Sequence, residues 1–221
     1  MDFVRPELIP DPTVRRLSLY LRQLEQLQKN AQLTVNSKQL GGSLGLTDAQ
    51  VRKDLAYFGT FGHPGVGYNV LELISRIKRI LGTDKAWNVV LVGVGYLGKA
   101  LLSYAGFAAK GMQLVAAFDS DPEKVGQVLS GHEVLPMTHI AEIINRHECR
   151  LAILTVPADV AQDVATDLVH AGIRGILNFS PTSLTVPPTV AVQAVDVALQ
   201  LEQLTFQVSL NSMTRSGVRH P

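Results

Sequence analysis

The stretch of residues 88–100 constrains the fold of this chain more than any other, because an apolar run of β type breaks into spaced glycines and then into helix-forming sequence. The aliphatic run ends at Val92 and predicts a buried parallel strand. Gly93 then permits a tight turn, Gly95 lets the backbone approach a pyrophosphate, and Gly98 lets the following helix pack closely on the sheet. The spacing therefore predicts a nucleotide-binding βαβ unit, with phosphates held by free amides at a helix N-terminus.

A second apolar run, residues 114–119, ends in a carboxylate 21 residues after Gly98. A carboxylate at the end of the second strand accepts hydrogen bonds from the adenine-ribose hydroxyls and repels a 2′-phosphate. Asp119 therefore favours NAD over NADP. The alternative interpretation is a turn-forming role for Asp119 in the sequence Asp119-Ser120-Asp121-Pro122.

After Asp119 the sequence alternates between apolar runs and helix patterns, which is typical of a doubly wound parallel sheet. Residues 122–134 look irregular or weakly stranded. Further strands are predicted at 151–157, 175–179 and 190–195, with helices near 140–147 and 160–169. Such sheets bind ligands at the carboxyl ends of their strands, although ordinary loops are the alternative for the later strand ends. The cofactor-binding residues that we expect are Gly93, Val94, Gly95, Tyr96, Leu97, Gly98, Phe118, Asp119, Lys124, Thr155, Val156, Pro157, Asn178, Phe179 and Ser180.

Ahead of the glycine stretch, the sequence predicts a small helical domain. Apolar residues at helical spacing indicate helices over 11–30 and 70–81, and a short helix over 38–44 lies between them. Thr47 and Gln50 form a capping box in which the Thr47 hydroxyl accepts from the amide of Gln50 and the Gln50 side chain reaches back. A short helix, a tight turn and a capped basic helix are typical of a helix-turn-helix, whose last helix enters the major groove of DNA.

Charge supports an anionic partner for this first part of the chain. Residues 1–86 carry 12 basic and 8 acidic side chains, net +4, whereas residues 87–221 carry 8 and 11, net −3. The glycine-rich segment 59–68 predicts a turning hairpin, the wing of a winged helix. A solvated surface pair is the alternative for Arg52 and Lys53. The DNA-binding residues that we expect are Ser37, Thr47, Gln50, Arg52, Lys53, Tyr57, His63 and Gly65.

Several classes of protein are disfavoured by the composition. The single cysteine, Cys149, excludes an intramolecular disulfide and a cysteine-cluster metal site, and its apolar neighbourhood predicts a buried, unreactive thiol. We expect no metal site. No apolar run approaches the length of a membrane span, and the N-terminus lacks an apolar signal core, so a cytoplasmic protein without a membrane partner is expected.

The C-terminal segment 196–211 predicts a helix with more apolar surface than a detached terminus tolerates. It is expected to cover its own sheet or to pack on a second subunit, and symmetric dimers read paired half-sites on DNA. The fold class is therefore α/β, with four parts. These are a winged helix-turn-helix domain (1–82), a Rossmann-type parallel-sheet NAD-binding domain (83–195), a dimerisation helix (196–211) and a disordered tail (212–221).

The order of these elements resembles the Rex family of bacterial redox-sensing transcriptional repressors. The resemblance covers nearly the whole chain. The segments that carry it are Val51-Arg52-Lys53-Asp54-Leu55-Ala56-Tyr57-Phe58-Gly59, Gly65-Val66-Gly67-Tyr68, Gly93-Val94-Gly95-Tyr96-Leu97-Gly98, Phe118-Asp119-Ser120-Asp121-Pro122, Leu154-Thr155-Val156-Pro157-Ala158 and Gly175-Ile176-Leu177-Asn178-Phe179. The wing residue Pro64 differs from the arginine or lysine of some relatives, and Val197 stands where some have an aromatic residue.

The resemblance implies a homodimer whose terminal helix is exchanged between subunits. Such a dimer binds an inverted-repeat operator when NADH is scarce and releases it when NADH binds, while NAD+ competes for the same pocket. It also implies a switch network at the subunit boundary, in which Asp196 of one chain faces Tyr104 and the Arg22 of the other chain. NADH and NAD+ are then effectors, not substrates.

Two other functions compete with this expectation. An NAD-dependent dehydrogenase with an appended domain needs a positioned acid or base, and His132, His139, His147 and His170 have no companion Arg or Lys motif. A coenzyme A-binding domain uses a similar glycine loop, but Asp119 disfavours it. The absence of a recognisable catalytic set predicts that the protein is not an enzyme.

Overall fold

A computed structural model gives the structure of the chain and describes residues 9–59, 61–62 and 67–216, with the side chains of the last helix described as far as Leu210. The chain divides into two units between Ala86 and Trp87. The sequence places the domain boundary slightly earlier, after residue 82.

The first unit is built on four helices and a short antiparallel strand pair. The helices are α1 (Asp11–Lys29), α2 (Ser37–Gly42), α3 (Asp48–Ala56) and α4 (Val70–Ile80). Strand β1 (Thr34–Val35) pairs with β2 (Tyr68–Asn69). All four helices contribute to one core, in which Leu17, Leu40 and Val51 are fully buried and Leu73 nearly so. The helices predicted for this part of the chain are thus confirmed within a few residues at each end.

The turn between α2 and α3 depends on a close backbone approach. A side chain at Gly41 would place its Cβ 2.6 Å from the carbonyl oxygen of Leu46, so only glycine lets the two helices meet at this distance. Asn36 and Gln39 cap α2 reciprocally, and the Thr47 hydroxyl accepts from the amide of Gln50 to cap α3. This arrangement confirms the predicted short helix, tight turn and capped helix.

One detail of the predicted cap on α3 is wrong. The side chain of Gln50 does not reach back toward Thr47 but donates from Nε2 to Asp54 Oδ1, 2.8 Å away. A buried carboxylate attracts an amide donor more strongly than an exposed backbone amide attracts the glutamine oxygen.

The predicted wing pairs differently from a self-contained hairpin. Residues 68–69 form β2 and pair with β1, which comes before α2 in the chain. Gly67 has φ +88°, and a Cβ there would lie 2.6 Å from the carbonyl oxygen of Val35, so glycine is required where the two segments meet. Residues 60 and 63–66 lie outside the described residues, and with them the predicted contacts of His63 and Gly65.

The second unit is a sheet of seven strands with helices on both faces. Its strands are β3 (Trp87–Val92), β4 (Met112–Asp119), β5 (Val128–Leu129), β6 (His132–Pro136), β7 (Leu151–Leu154), β8 (Gly175–Asn178) and β9 (Ala191–Ala194). Its helices are α5 (Tyr96–Leu102), α6 (Gly106–Ala109), α7 (Ile140–Arg146), α8 (Ala158–Ala171) and α9 (Val197–Ser216).

The strand order identifies a Rossmann topology. It runs β5-β6-β4-β3-β7-β8-β9, and every neighbouring pair except β5 with β6 is parallel. Numbered along the chain, the six parallel strands stand in the order 3-2-1-4-5-6, and the order reverses between β3 and β7. Ligands of such sheets bind outside the carboxyl ends of the strands at this reversal. The loops that follow β3 and β7 are therefore the expected ligand-binding site.

The two faces of this sheet are covered unequally. One face packs Val90 and Phe118 against Ile144 of α7 and Leu168 of α8. The other face has a smaller core formed with α5 and α6, and beyond it an apolar groove of about 370 Å³ stays open. The groove is lined by residues of five strands and α6: Val89, Phe107, Leu114, Leu151, Leu177 and Val192 among others.

Three sequence-based boundaries are corrected. Residues 122–134 contain β5 and the start of β6, which pairs in parallel with β4 and therefore belongs to the sheet. The third strand ends at Leu154, leaving residues 155–157 as a loop. The last helix continues to Ser216, so the disordered tail predicted from residue 212 is wrong for 212–216, and residues 217–221 lie outside the described part.

Among the described residues, no helix is both long enough and apolar enough to cross a membrane. The described part of the chain also has no group of three or more His, Cys, Asp or Glu side chains able to hold a metal ion.

Candidate functional site: a glycine turn and a helix-turn-helix

The glycine turn follows β3 directly and is fixed by contacts that leave no room for side chains. Gly93 has φ +96°, and a Cβ there would lie 2.7 Å from the carbonyl oxygen of Thr155. A Cβ on Gly98 would lie 2.1 Å from the carbonyl oxygen of Gly93, so α5 packs directly on the turn. At Gly95, by contrast, an added Cβ meets no atom within 4 Å. Gly93 and Gly98 thus allow close backbone packing, and Gly95 faces open space that a ligand can approach.

The first turn of α5 presents its backbone to that space. Its first amides have no partner within the helix, as at any helix start. Tyr96 is 99% exposed and Leu97 46% exposed, so the side chains at this tip do not cover the turn. Val94, in contrast, is fully buried and anchors the loop in the sheet.

Asp119 ends β4 beside this turn and is organised by three donors. Its Oδ2 accepts from the amide of Val94 at 2.7 Å and from Lys124 Nζ at 3.1 Å, and its Oδ1 accepts from the amide of Asp121 at 2.9 Å. Burial acts to raise the pKa of Asp119, but these hydrogen bonds outweigh it and lower the pKa below the ordinary value. The carboxylate is therefore charged and oriented at the end of the second strand, where a ribose hydroxyl can donate to its remaining lone pairs.

Lys124 was expected among the cofactor-binding residues, and the structure places it on Asp119. Its ammonium also lies 3.5 Å from Asp121 Oδ2, and the hydrogen bond to Asp119 raises the pKa of the lysine. One cation thus balances two carboxylates at this edge of the sheet.

The loops after β7 and β8 are tied to the glycine turn and to each other. Thr155 Oγ1 lies 2.6 Å from the carbonyl oxygen of Gly93, and the amide of Thr155 donates to the carbonyl oxygen of Val92. Ser180 Oγ donates to the carbonyl oxygen of Val156 at 2.7 Å. These bonds bring the predicted residues 155–157 and 178–180 to the same edge as the turn.

Asn178 at the end of β8 has both of its polar atoms engaged. Its Nδ2 donates to the carbonyl oxygen of Thr182, and its Oδ1 accepts from the amide of Ser180. It is 1% exposed, so its side chain shapes the loop rather than offering free hydrogen-bonding groups.

In the first unit, α3 and its C-cap carry four of the predicted DNA-binding residues, of which Arg52 and Lys53 are exposed and Gln50 and Tyr57 half-buried. Gln50, Lys53 and Tyr57 follow one another at helical spacing along one side. Arg52 lies on the other side, where its Nη1 donates to Asp48 Oδ2 at 2.7 Å and to Ser37 Oγ at 3.2 Å. The structure therefore holds Arg52 in place between α2 and α3.

Asp54 is a buried carboxylate of α3 that the sequence analysis did not single out. It is fully buried, and it accepts from Arg16 Nε at 2.5 Å, Arg16 Nη2 at 2.7 Å, Tyr20 Oη at 2.7 Å and Gln50 Nε2 at 2.8 Å, with Thr13 Oγ1 at 3.3 Å. Burial acts to raise its pKa, but the bonds from Arg16, Tyr20 and Gln50 prevail and lower it. The signal in the sequence was an acid between Val51 and Leu55 on the apolar face of α3.

The residues of the expected switch network are exposed in the structure. Arg22 projects from α1, Tyr104 is 59% exposed with its ring edge-on to Phe107, and Asp196 caps the start of α9 by accepting from the amide of Leu199. Among the described residues, Tyr104 packs on Phe107 and Asp196 bonds to the amide of Leu199, and no hydrogen bond joins Tyr104 to Asp196.

The single thiol, that of Cys149, is fully buried, and burial raises its pKa to about 11. The predicted burial of this cysteine is confirmed.

Comparisons with known proteins agree with this two-part organisation. A family model described as CoA binding domain matches residues 84–182, and one described as Putative DNA-binding protein N-terminus matches residues 8–56. The redox-sensing transcriptional repressor Rex of Carboxydothermus hydrogenoformans is 49% identical over 200 residues, which are 90% of this chain and 96% of that protein. The protein of the same name from Chloroflexus aurantiacus is 44% identical over 205 residues, 93% of this chain and 97% of that one.

Solved structures resemble the whole chain. A complex of RSP, a Rex-family repressor, with β-NAD+ and operator DNA matches with a TM-score of 0.89 and 35% identity, covering 95% of this chain and 96% of that one. RSP with β-NADH matches with a TM-score of 0.85 and 34% identity, over 95% and 98%. Sequence identity near one half along nine-tenths of the chain, with both units matched in order, shows that the chain belongs to the Rex family of redox-sensing transcriptional repressors.

Proposed function

We propose that this chain is a DNA-binding repressor that senses the ratio of NADH to NAD+ and leaves its operator when NADH binds. The carrying observation is that one chain joins a helix-turn-helix with an exposed basic helix to a Rossmann sheet with an oriented Asp119. The Rex-family repressor RSP, which this chain matches over 95% of its residues, was crystallised with NADH and with NAD+ and operator DNA, and this supports the same ligands here. Its place of action is then the compartment that holds the chromosome, the cytoplasm in a bacterium.

The dinucleotide is held by residues that the fold brings to one edge of the sheet. Backbone of the glycine turn binds the pyrophosphate, and Asp119, supported by Lys124, accepts from the adenine ribose. The loops after β7 and β8, residues 155–157 and 178–180, border the nicotinamide half. NADH supplies reducing equivalents elsewhere in metabolism, and in this protein it acts as an effector that is not consumed.

The operator is bound by α3 and its neighbours. Gln50, Lys53 and Tyr57 face the major groove from one side of α3. Arg52, on the other side of the helix, joins Ser37 and Thr47 at the helix starts, where they bind backbone phosphates. His63 and Gly65 belong to the proposed wing. An inverted-repeat operator follows from a two-fold dimer that places one α3 in each half-site.

The dimer is formed by exchange of α9. Its apolar residues are 46–64% exposed, and at 100° per residue they form two opposite stripes, Val197, Leu201, Leu204, Val208 and Leu199, Phe206, Leu210. A helix that is apolar on opposite sides is stable only between two surfaces. The open groove on the sheet supplies an apolar surface of matching character, and the α9 of a second copy is its occupant.

Ligand and DNA then share one equilibrium between two dimer geometries. A charged group that changes partners at a subunit boundary can bias such an equilibrium, and Arg22, Tyr104 and Asp196 are proposed for this role because their side chains are exposed. By linkage, operator DNA must weaken NADH binding by the factor by which NADH weakens operator binding.

The test is a gel shift on an operator selected in vitro with the full-length protein, titrated with NADH, NAD+ and coenzyme A in parallel. We expect a low concentration of NADH to release the operator, the same concentration of NAD+ to release less of it, and coenzyme A to have no effect. NADH without effect on a bound operator contradicts the proposal. Release by coenzyme A alone instead supports the activity named by the matching family model.

An absorbance assay at 340 nm separates an effector from a substrate. The protein is incubated with a large molar excess of NADH and a panel of small carbonyl compounds. The NADH concentration is expected to stay unchanged. Steady oxidation of NADH with any one of them would establish a dehydrogenase.

A further inference from the structure

The orientation of the Gln50 side chain is fixed by a hydrogen bond to Asp54. The side chain lies on the exposed side of α3 but reaches the buried carboxylate of Asp54, with Nε2 2.8 Å from Oδ1. A carboxylate with a lowered pKa is ionised and only accepts hydrogen bonds, so the amide nitrogen and not the oxygen must face it.

The carboxylate itself is held still by other donors. Arg16 binds it through two nitrogens and Tyr20 through its hydroxyl, at distances of 2.5 to 2.7 Å. Because Arg16 and Tyr20 belong to α1, the position of Asp54 on α3 is fixed from a second helix. The amide of Gln50 is therefore oriented by a group that does not move with the glutamine side chain.

Among the described residues, no donor binds Gln50 Oε1, so the oxygen remains available to a ligand of α3. An amide free to rotate presents either a donor or an acceptor, and it matches bases of both kinds. Exocyclic amines in the major groove, adenine N6 and cytosine N4, are donors, whereas guanine O6 and thymine O4 are acceptors. An amide held with its oxygen outward matches only the amines.

We propose that Asp54 is a positioning residue for operator reading, and that through it Gln50 selects a base with an exocyclic amine against a keto base at one position in each half-site. This inference rests on the proposed function, since it requires α3 to lie in the major groove. It assigns to a buried acid, distant from the surface of the helix, a part in sequence specificity.

The test is a cycle of two proteins and two DNAs. Wild-type protein and Gln50→Ala are each titrated with the selected operator and with operators in which single adenines are replaced by purine, or single cytosines by 2-pyrimidinone, so that only the exocyclic amine is lost. We expect one position per half-site at which loss of the amine weakens wild-type binding about fivefold more than it weakens the binding of Gln50→Ala. Any weakening of base pairing is common to both proteins and cancels.

A control and a second variant sharpen the result. Gln28→Ala truncates an exposed glutamine on α1 and is expected to keep the wild-type profile. Asp54→Asn can offer a donor or an acceptor to Gln50, so among molecules shown by thermal melting to be folded, the penalty for amine loss at that position is expected to fall toward twofold.

The outcomes separate the two levels of the proposal. The proposed selection of an amine by Gln50 is overturned if the base pair whose recognition depends on Gln50 presents guanine or thymine to it. It is also overturned if loss of the amine at that position leaves binding unchanged. Operator binding with no Gln50-dependent position overturns it as well. Failure of the wild-type protein to select any operator refutes the repressor function itself.

Discussion

At the scale of single residues, Asp119 determines the dinucleotide specificity that we propose. Asp119→Asn keeps the size of the side chain but removes the charge that repels a 2′-phosphate and one strong acceptor for ribose. We expect NADH to bind about tenfold more weakly and the preference for NADH over NADPH to shrink by a similar factor. Fluorescence titration with both dinucleotides measures the two changes.

The matched control is Asp121→Asn, which removes the other carboxylate near Lys124 but not the one bonded to Val94. It is expected to change NADH affinity less than twofold. An equal loss in both variants would mean that the charge of the cluster matters and the position of Asp119 does not.

Also at this scale, Asp54 makes the stability of the first unit depend on pH. Its pKa is lowered on folding, so its stabilisation is present above the unfolded value of about 3.9 and is lost as the pH falls through the folded value. Asp54→Asn is expected to cost about 3 kcal/mol in free energy of unfolding at pH 7, because Arg16 would lose the buried negative charge with which it is paired. The cost should shrink in denaturant titrations below about pH 4.

Asp11→Asn serves as a control for this pH dependence. Asp11 is an exposed carboxylate in the first turn of α1, and its replacement is expected to cost no more than about 0.5 kcal/mol. A cost of Asp54→Asn that stays constant from pH 7 to pH 3 would show that the carboxylate contributes by shape and not by charge.

At the scale of elements, the contact between α5 and the turn after β3 tolerates no side chain. Gly98→Ala places a methyl carbon 2.1 Å from the carbonyl oxygen of Gly93, so α5 must move away from the sheet. We expect a loss of about 2 kcal/mol in the free energy of unfolding and a loss of NADH binding of tenfold or more. Thermal unfolding and fluorescence titration report the two effects.

Gly42→Ala provides the comparison, because an added Cβ at Gly42 meets no atom within 4 Å and lies in a helix. It is expected to be neutral or slightly stabilising and to leave NADH binding unchanged. Unchanged NADH affinity in Gly98→Ala would mean that the turn can shift without disturbing the pyrophosphate site.

At the scale of the whole molecule, the proposed exchange of α9 predicts how dimerisation responds to substitutions on this helix. Phe206→Glu places a charge on an apolar stripe of α9, whereas Gln207→Glu places the same charge on the same helix between the stripes. We expect the first variant to sediment as a monomer at micromolar concentration and the second as a dimer, because burying an unpaired carboxylate costs several kcal/mol. Analytical ultracentrifugation decides, and a dimer of both variants would contradict the exchange.

Much of this architecture follows from local pattern. The 3.6-residue spacing of Leu17, Leu21 and Leu24 specifies α1, and the apolar run into Gly93 specifies a buried strand and turn, because burial on one face needs only the periodicity of the chain. The doubly wound parallel sheet and the carboxylate at the end of its second strand were predicted from the alternation of strands and helices and from the glycine spacing, whereas the strand order came from the structure. Where the local pattern was weak, as in residues 128–136, the strands came from pairing with β4, which no local window contains.

The sequence alone determined which segments form helices and strands, where the glycine turn lies, and which acid follows the second strand, because these depend on neighbours a few residues away. The tertiary structure decided that Asp54 binds Arg16 and Tyr20 across 38 and 34 residues of chain, and that Gln50 turns to this carboxylate rather than to its own cap. It also decided which face of the sheet keeps an open apolar groove. The contacts of Asp54 with Arg16 and Tyr20 join residues far apart in sequence, and only the packing of α1 on α3 brings them within hydrogen-bond distance.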